Sequence, residues 1–232
     1  SYKYLSKDTN SAGNRYRAYS RFNWCTKNQM LVTATNNNYS QSIEYNLTDG
    51  GKIRKFDAIS ESFLNNPIIK YLLGKNLEIA KSDASIQFRE DLVVGLHQIR
   101  YHAEINTPSY SSPTWLHRDD EPLVFVHLMN LTGNLLGGDN ILATSASEIR
   151  KVLRLNEPLE TIALHKKELH AVTPMGSTDE RPAFRDVLLV TFHNQKSGPG
   201  LFSNNRRYKS AQKTKESPAP TLPEVTTRFL TK

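Results

Sequence analysis

From residue 92 onward the chain is a succession of short apolar runs with polar side chains recurring at alternate positions. That pattern constrains the fold more than anything else in the sequence. The runs are LVVGLHQIRY (92–101), PLVFVHLMNL (122–131), LETIAL (159–164), LHAV (169–172) and VLLVTF (187–192). A period of two sends successive side chains to opposite faces of an extended backbone, so each run predicts a strand. Helical spacing is confined to residues 59–81. There Ser60 can cap a short turn, and Asn66-Pro67 reads as an N-cap followed by proline at the first helical position. Ile68, Ile69, Leu72 and Leu73 then recur at helical intervals, while Gly74 weakens the case for one unbroken helix. Asp49-Gly50-Gly51 predicts a hairpin onto Lys52–Phe56, and the run 135–140 (LLGGDN) a turn into Ile141. Ser145 and Glu148 have capping-box spacing ahead of Ile149, Val152 and Leu153, which predicts a short helix within 145–154. No internal repeat is visible. The expected architecture is mainly β with flanking helices, a double-stranded β-helix (jelly-roll, cupin-like) barrel.

A chain of 232 residues is long enough for one sizeable core. We expect a single domain over 1–193 and an extension over 194–232. The extension is rich in Ser, Lys, Pro and Asn and carries eight basic against two acidic side chains. Most of the net charge of +7 therefore sits there, and the rest is nearly neutral. A basic tail of this kind is a solvated appendage more often than a binding surface, so no nucleic-acid partner is expected. One cysteine, Cys25, allows no disulfide within the chain. There is no secretory segment at the start and no apolar run of membrane-spanning length. These features give a cytoplasmic expectation with no membrane partner.

Within this frame one segment carries chemistry. His117 and Asp119 are two apart in WLHRD (115–119), so an extended backbone points both side chains the same way. His170 answers from a later strand, and two imidazoles with one carboxylate hold non-haem Fe(II) on one face while the other stays open. Arg185 heads the last apolar run. A metal triad with a fixed cation suits an enzyme that activates O2 with the dianion 2-oxoglutarate. A lone His-x-Asp is common by chance, and it is the order of elements that raises its weight. His127 sits in an apolar run and reads as a core group or a support for a metal ligand. His165 lies in a Lys-rich turn and is discounted. Trp115 shares the His117 face of a regular strand, where it can wall a substrate pocket or belong to the core. Arg15 and Arg17 alternate on an extended segment, most simply a solvated edge strand.

The runs SSPTWLHRDDEP (111–122), HLMNL (127–131), GGDN (137–140), EPLET (157–161), HAVTP (170–174) and FRDVLLVTF (184–192), with RAYSR (17–21) and GLHQIRY (95–101) upstream, resemble the bacterial L-isoleucine 4-hydroxylase family. The resemblance covers roughly residues 15–193 and leaves the extension unexplained. It implies an Fe(II)- and 2-oxoglutarate-dependent dioxygenase. Such an enzyme hydroxylates an unactivated C–H bond of a free aliphatic L-amino acid and releases succinate and CO2. By position it implies His117, Asp119 and His170 as iron ligands and Arg185 as partner of the distal 2-oxoglutarate carboxylate. It further implies hydrogen bonds to that co-substrate from Tyr101 and Ser111. A free amino acid also needs partners for its two charges, and Arg100, Arg118, Asp120 and the Arg15–Arg21 cluster are open candidates. Two rival readings keep part of this. One is a peptide or protein hydroxylase of the same chemistry; the other is a non-catalytic β-barrel module whose basic tail contacts nucleic acid.

Overall fold

The computed structural model describes residues 1–10, 13–43, 45, 50–111 and 113–195. The extension expected over 194–232 therefore lies almost wholly outside the described residues. After a single 3-10 turn at Tyr2–Tyr4 come β1 (Arg15–Cys25), β2 (Met30–Thr33), β3 (Asn38–Tyr39) and β4 (Arg54–Lys55). Two helices follow, α1 (Glu61–Leu64) and α2 (Pro67–Ser82). The rest is strand: β5 (Leu92–Ala103), β6 (Leu123–Leu131), β7 (Leu135–Gly137), β8 (Asn140–Ser145) and β9 (Glu148–Leu153), then β10 (Thr161–His165), β11 (Leu169–Val172), β12 (Met175–Ser177) and β13 (Ala183–Asn194).

The strands make a six-stranded antiparallel sheet, β10-β6-β13-β5-β1-β2. Smaller sheets, β11-β8-β9 and β12-β7, stand against it, and β3-β4 forms a short ladder of its own. The result is a jelly-roll sandwich whose sheets do not close into one barrel. Alternation along the long strands divides the core in two. Leu96, Leu123, Phe125, Leu188, Val190 and Phe192 pack under α2 with Ile69 and Ala80. Their neighbours Ile99, Tyr101, Val124, Val126, Leu128 and Val187 face the smaller sheets with Leu135, Leu142 and Met175. Burying each large apolar side chain contributes about 1.5–3 kcal/mol. The central strands β5, β6 and β13 are thus buried on both faces, which is why they read as apolar runs with few polar positions, while the edge strand β2 is largely exposed.

Local signals decide most element ends. Ser60 accepts from the Phe63 N–H, and Asn66 accepts from the Ile68 N–H with Pro67 beside it. Three expectations need correction. Gly74 does not interrupt α2, which runs through it to Ser82; a solvated helix absorbs about 1 kcal/mol for one glycine. The helix expected within 145–154 is strand β9, hairpinned to β8. There Glu148 accepts from the Thr144 hydroxyl at 2.6 Å and Ser145 accepts from the Ser147 N–H. The polar residues close a turn instead of capping a helix, and β-branched Ile149 and Val152 suit the strand that follows. Arg15 and Arg17 do lie on one face, but both are buried. Their half of β1 is covered by β5 on one side and by bridges from Lys7 and Asp57 on the other. No helix among the described residues is long and apolar enough to cross a membrane.

Candidate metal centre

Between β5 and β6 the chain crosses to the face of the smaller sheets. Two backbone bridges hold it there, Ser109 with Met175 and His117 with His170. His117 and His170 exchange both N–H···O bonds, each 2.9 Å, so they form a directly opposed antiparallel pair. Their imidazole centroids lie 4.4 Å apart. Asp119 sits in front of both, with one oxygen 3.5 Å from His117 Nε2 and the other 3.4 Å from His170 Nε2.

The tautomers follow from the second nitrogens. His117 Nδ1 lies 2.8 Å from the Trp115 carbonyl, and His170 Nδ1 lies 3.2 Å from the Glu168 carbonyl. A carbonyl can only accept, so both Nδ1 atoms carry a proton, and each Nε2 faces Asp119 as a lone pair when its imidazole is neutral and as an N–H when it is charged. Backbone support of this kind orients metal-binding histidines generally. The three ligand atoms lie within 4.8 Å of one another. An octahedral face with bonds of about 2.1 Å has edges of about 3 Å, so a small contraction brings the set onto one cation. Burial alone would raise the Asp119 carboxyl, but the His170 charge and the His117 hydrogen bond hold it below the usual carboxylate range. Burial lowers His170, and Asp119 only partly offsets this. For His117 the Asp119 hydrogen bond and charge overcome burial and raise it.

The triad opens into a narrow cavity of about 90 Å³ lined also by Tyr101, Ser111, Asn140, Val124, Val187 and Arg185. Arg185 is buried at 2% exposure, and its Nη2 has no hydrogen-bond partner. Burial lowers its pKa, and nearby Tyr101 pulls the other way. The Gly137-Gly138 turn makes room for it. Both glycines have positive φ, and a Cβ on Gly138 would come within 3.2 Å of Arg185 Cδ. An unpartnered buried guanidinium facing a metal triad fits a bidentate carboxylate. Ser111 Oγ donates to the Pro113 carbonyl at 3.0 Å, so its hydroxyl has to turn from that carbonyl to donate to a carboxylate.

The other expected residues lie elsewhere. Trp115 is 56% exposed and lines no wall of this cavity, because the chain bends there instead of continuing as a regular strand. Arg118 is exposed and donates to the Lys167 carbonyl at 3.1 Å. Arg100 is held by Asp186 through two 2.7 Å bonds and stacks on Phe184. His127 is a core group under α2, with Thr161 at one nitrogen and Asn76 at the other. Sequence reasoning did not single out Asn140, although GGDN carried it. A larger groove of about 790 Å³ lies beyond Leu142 and Leu164, between β10 and β9. Its polar lining is mostly Lys, Arg and His at the surface, with no converging metal ligands, so the chemistry belongs to the small cavity.

A family model described as 2OG-Fe dioxygenase matches residues 1–191. The chain is 48% identical over 178 residues to the L-isoleucine-4-hydroxylase of Bacillus thuringiensis, covering 77% of this chain and 74% of that one. It is 39% identical over 194 residues to the 3(1)-hydroxy-L-isoleucine 4-dioxygenase of Pantoea ananatis (strain AJ13355), covering 82% and 77%. Among solved structures, that of IDO from Bacillus thuringiensis superposes with a TM-score of 0.75 at 43% identity, covering 84% of this chain and 83% of that one.

Proposed function

The chain belongs to the 2OG-Fe dioxygenase family, and from that premise we propose that it hydroxylates a free aliphatic L-amino acid such as isoleucine, leucine or methionine. It is an Fe(II)- and 2-oxoglutarate-dependent enzyme that consumes O2. When bound, the metal with its co-substrate and O2 supplies the oxidant for an unactivated C–H bond, and succinate and CO2 are released.

The chain's own residues bind, orient and exclude water. His117, His170 and Asp119 offer two neutral nitrogens and a carboxylate, the donor set that suits Fe(II) with open positions left over. Arg185 clamps the distal carboxylate of 2-oxoglutarate with its free Nη2 edge. Tyr101 and Ser111 add hydroxyls in the same cavity. Val124, Val126, Val187 and Leu189 keep the surroundings apolar, which strengthens each of these contacts. Residues 1–193 form the catalytic unit on this reading, and a single cysteine fits a reducing compartment. The observation that carries the proposal is the pair of Nε2 atoms converging with Asp119 in one cavity with an unpartnered buried arginine.

The test is incubation with Fe(II), 2-oxoglutarate, O2 and single L-amino acids. Mass spectrometry follows the amino acid, and succinate is counted alongside. One oxygen gained per succinate is expected with at least one aliphatic amino acid. Oxygen gained by a peptide panel alone would move the proposal to the peptide-hydroxylase reading.

A further inference from the structure

A second buried polar cluster lies on the same face of the six-stranded sheet as the metal cavity. Arg17 is opposite Ile99 in the ladder, and Ile99 is opposite Val187, which lines that cavity. Two strand spacings, about 10 Å, separate Arg17 from Val187. The Arg17 guanidinium stacks over Tyr39 at 4.8 Å and Phe56 at 4.5 Å. Arg54 stacks over the same Tyr39 ring at 4.7 Å and donates to Gln41 at 2.8 Å. Tyr39 reaches Glu121 at 3.5 Å, and Glu121 follows metal-side Asp119 by two residues. All four, Arg17, Arg54, Tyr39 and Glu121, are at least nine-tenths buried.

Among the described residues the charges here are not closed. Arg15 and Arg100, beside them in the same sheet, have Asp8 and Asp186 as close partners. Arg17 and Arg54 have no carboxylate within ion-pair distance among the described residues. Arg17 Nη2 donates to His97 Nδ1, and Arg17 Nε, Arg54 Nε and His97 Nε2 are buried without any partner. Buried cations of this kind are costly unless something supplies the missing anion. Glu121 is the complementary case, a buried carboxylate that meets the Tyr39 phenol at 3.5 Å and has no cation within ion-pair distance among the described residues.

We propose that this cluster recognises the charged end of the amino acid: Arg17 with Arg54 takes the α-carboxylate and Glu121 takes the α-ammonium. A zwitterion seated there closes both kinds of open charge at once. Its side chain then lies along the Ile99–Val187 row toward the triad, so the charged end sets how far the oxidised carbon stands from the metal. The inference rests on the reading of a free amino acid as substrate and adds which residues select it.

The experiment is equilibrium calorimetry without O2 on the Fe(II)- and 2-oxoglutarate-loaded protein. The probes are L-isoleucine, L-isoleucinamide and N-acetyl-L-isoleucine. The unaltered protein should favour the acid over the amide roughly 10- to 100-fold, the range of a hydrogen bond to a charged group. In Arg17→Gln and Arg54→Gln that ratio should fall toward one while amide binding stays as it was. In Glu121→Gln the preference over the N-acetyl compound should fall instead. Arg17→Lys, which keeps the charge and loses the fork, should keep part of the acid preference and serves if Arg17→Gln does not fold. A purely structural role would weaken all three probes together. Ratios unchanged in the arginine variants would overturn the inference and leave the substrate reading standing. No binding of any probe to the unaltered protein, with leucine and methionine equally silent, would remove the substrate reading itself.

Discussion

The two faces of the six-stranded sheet solve burial in opposite ways. Under α2 the side chains are Phe125, Leu188, Val190 and Phe192, and the histidine among them, His127, has a partner at each nitrogen. On the other face Arg17 and Arg185 are buried with open nitrogens, and Arg54 beside Arg17 is left the same way. Neutral orphans occur on the helix side too, Trp24 Nε1 and Gln98 Nε2. It is the unpartnered cations that are confined to the cavity side among the described residues. Where the hydrogen bonds close internally, a buried polar group serves the fold; where a buried charge is left open, it marks a place for a ligand.

This contrast breaks most sharply if ligand-side changes damage the fold. His117→Ala or His170→Ala should reduce hydroxylation more than ~100-fold, beyond what loss of a supporting residue costs. The denaturation midpoint of the metal-free protein should barely move, and an equal collapse in both readings would contradict the division. Phe125→Ala is the mirror experiment. It should cost about 3–5 kcal/mol in urea unfolding, with kcat/KM per folded molecule near the unaltered value. Arg185→Met joins the two measurements. The KM for 2-oxoglutarate should rise by about 2–5 kcal/mol equivalent, while stability without ligands is unchanged or higher, because an unpaired buried charge has gone. Lower unliganded stability would mean that Arg185 has a structural partner.

His127 sharpens the helix side. Burial pushes its pKa down to about 4 from an ordinary 6.5. Between those values the unfolded chain binds a proton that the folded one does not. Stability is therefore full above about pH 6.5 and falls as pH drops toward 4, by up to about 3 kcal/mol. His127→Gln should flatten that part of the pH profile. The smallest effect belongs to Gly74→Ala. A Cβ there meets nothing within 4 Å, so it should add about 0.5–1 kcal/mol and leave activity alone.

The long strands were legible because each is buried on both faces and so reads as an apolar run. The helix start at Asn66-Pro67 was legible because a cap is a local chemical signal. Strand β9 was not, since its turn residues are also cap residues and only pairing with β8 decides between the two. The triad could be read because His117 and Asp119 are neighbours and His170 follows in a strand. The Arg17 cluster could not be assembled. Arg17, Tyr39, Arg54 and Glu121 come from four separate segments, two of them strands of two residues with no period to read. Alternating Arg15 and Arg17 was the one available hint, and nothing local tells a paired arginine from an open one.

The reciprocal backbone bonds between His117 and His170 have a further consequence. They make the two imidazoles the arms of a chelator whose backbone is already closed by the sheet. The loop-closure entropy of bringing two distant donors together is spent during folding rather than on metal capture. Iron then meets a high effective concentration of nitrogen, and its departure releases no chain. Unlike small domains that unfold when their zinc is removed, this protein should exchange its metal as a finished vessel exchanges its contents, with the shape of the site outlasting each occupant.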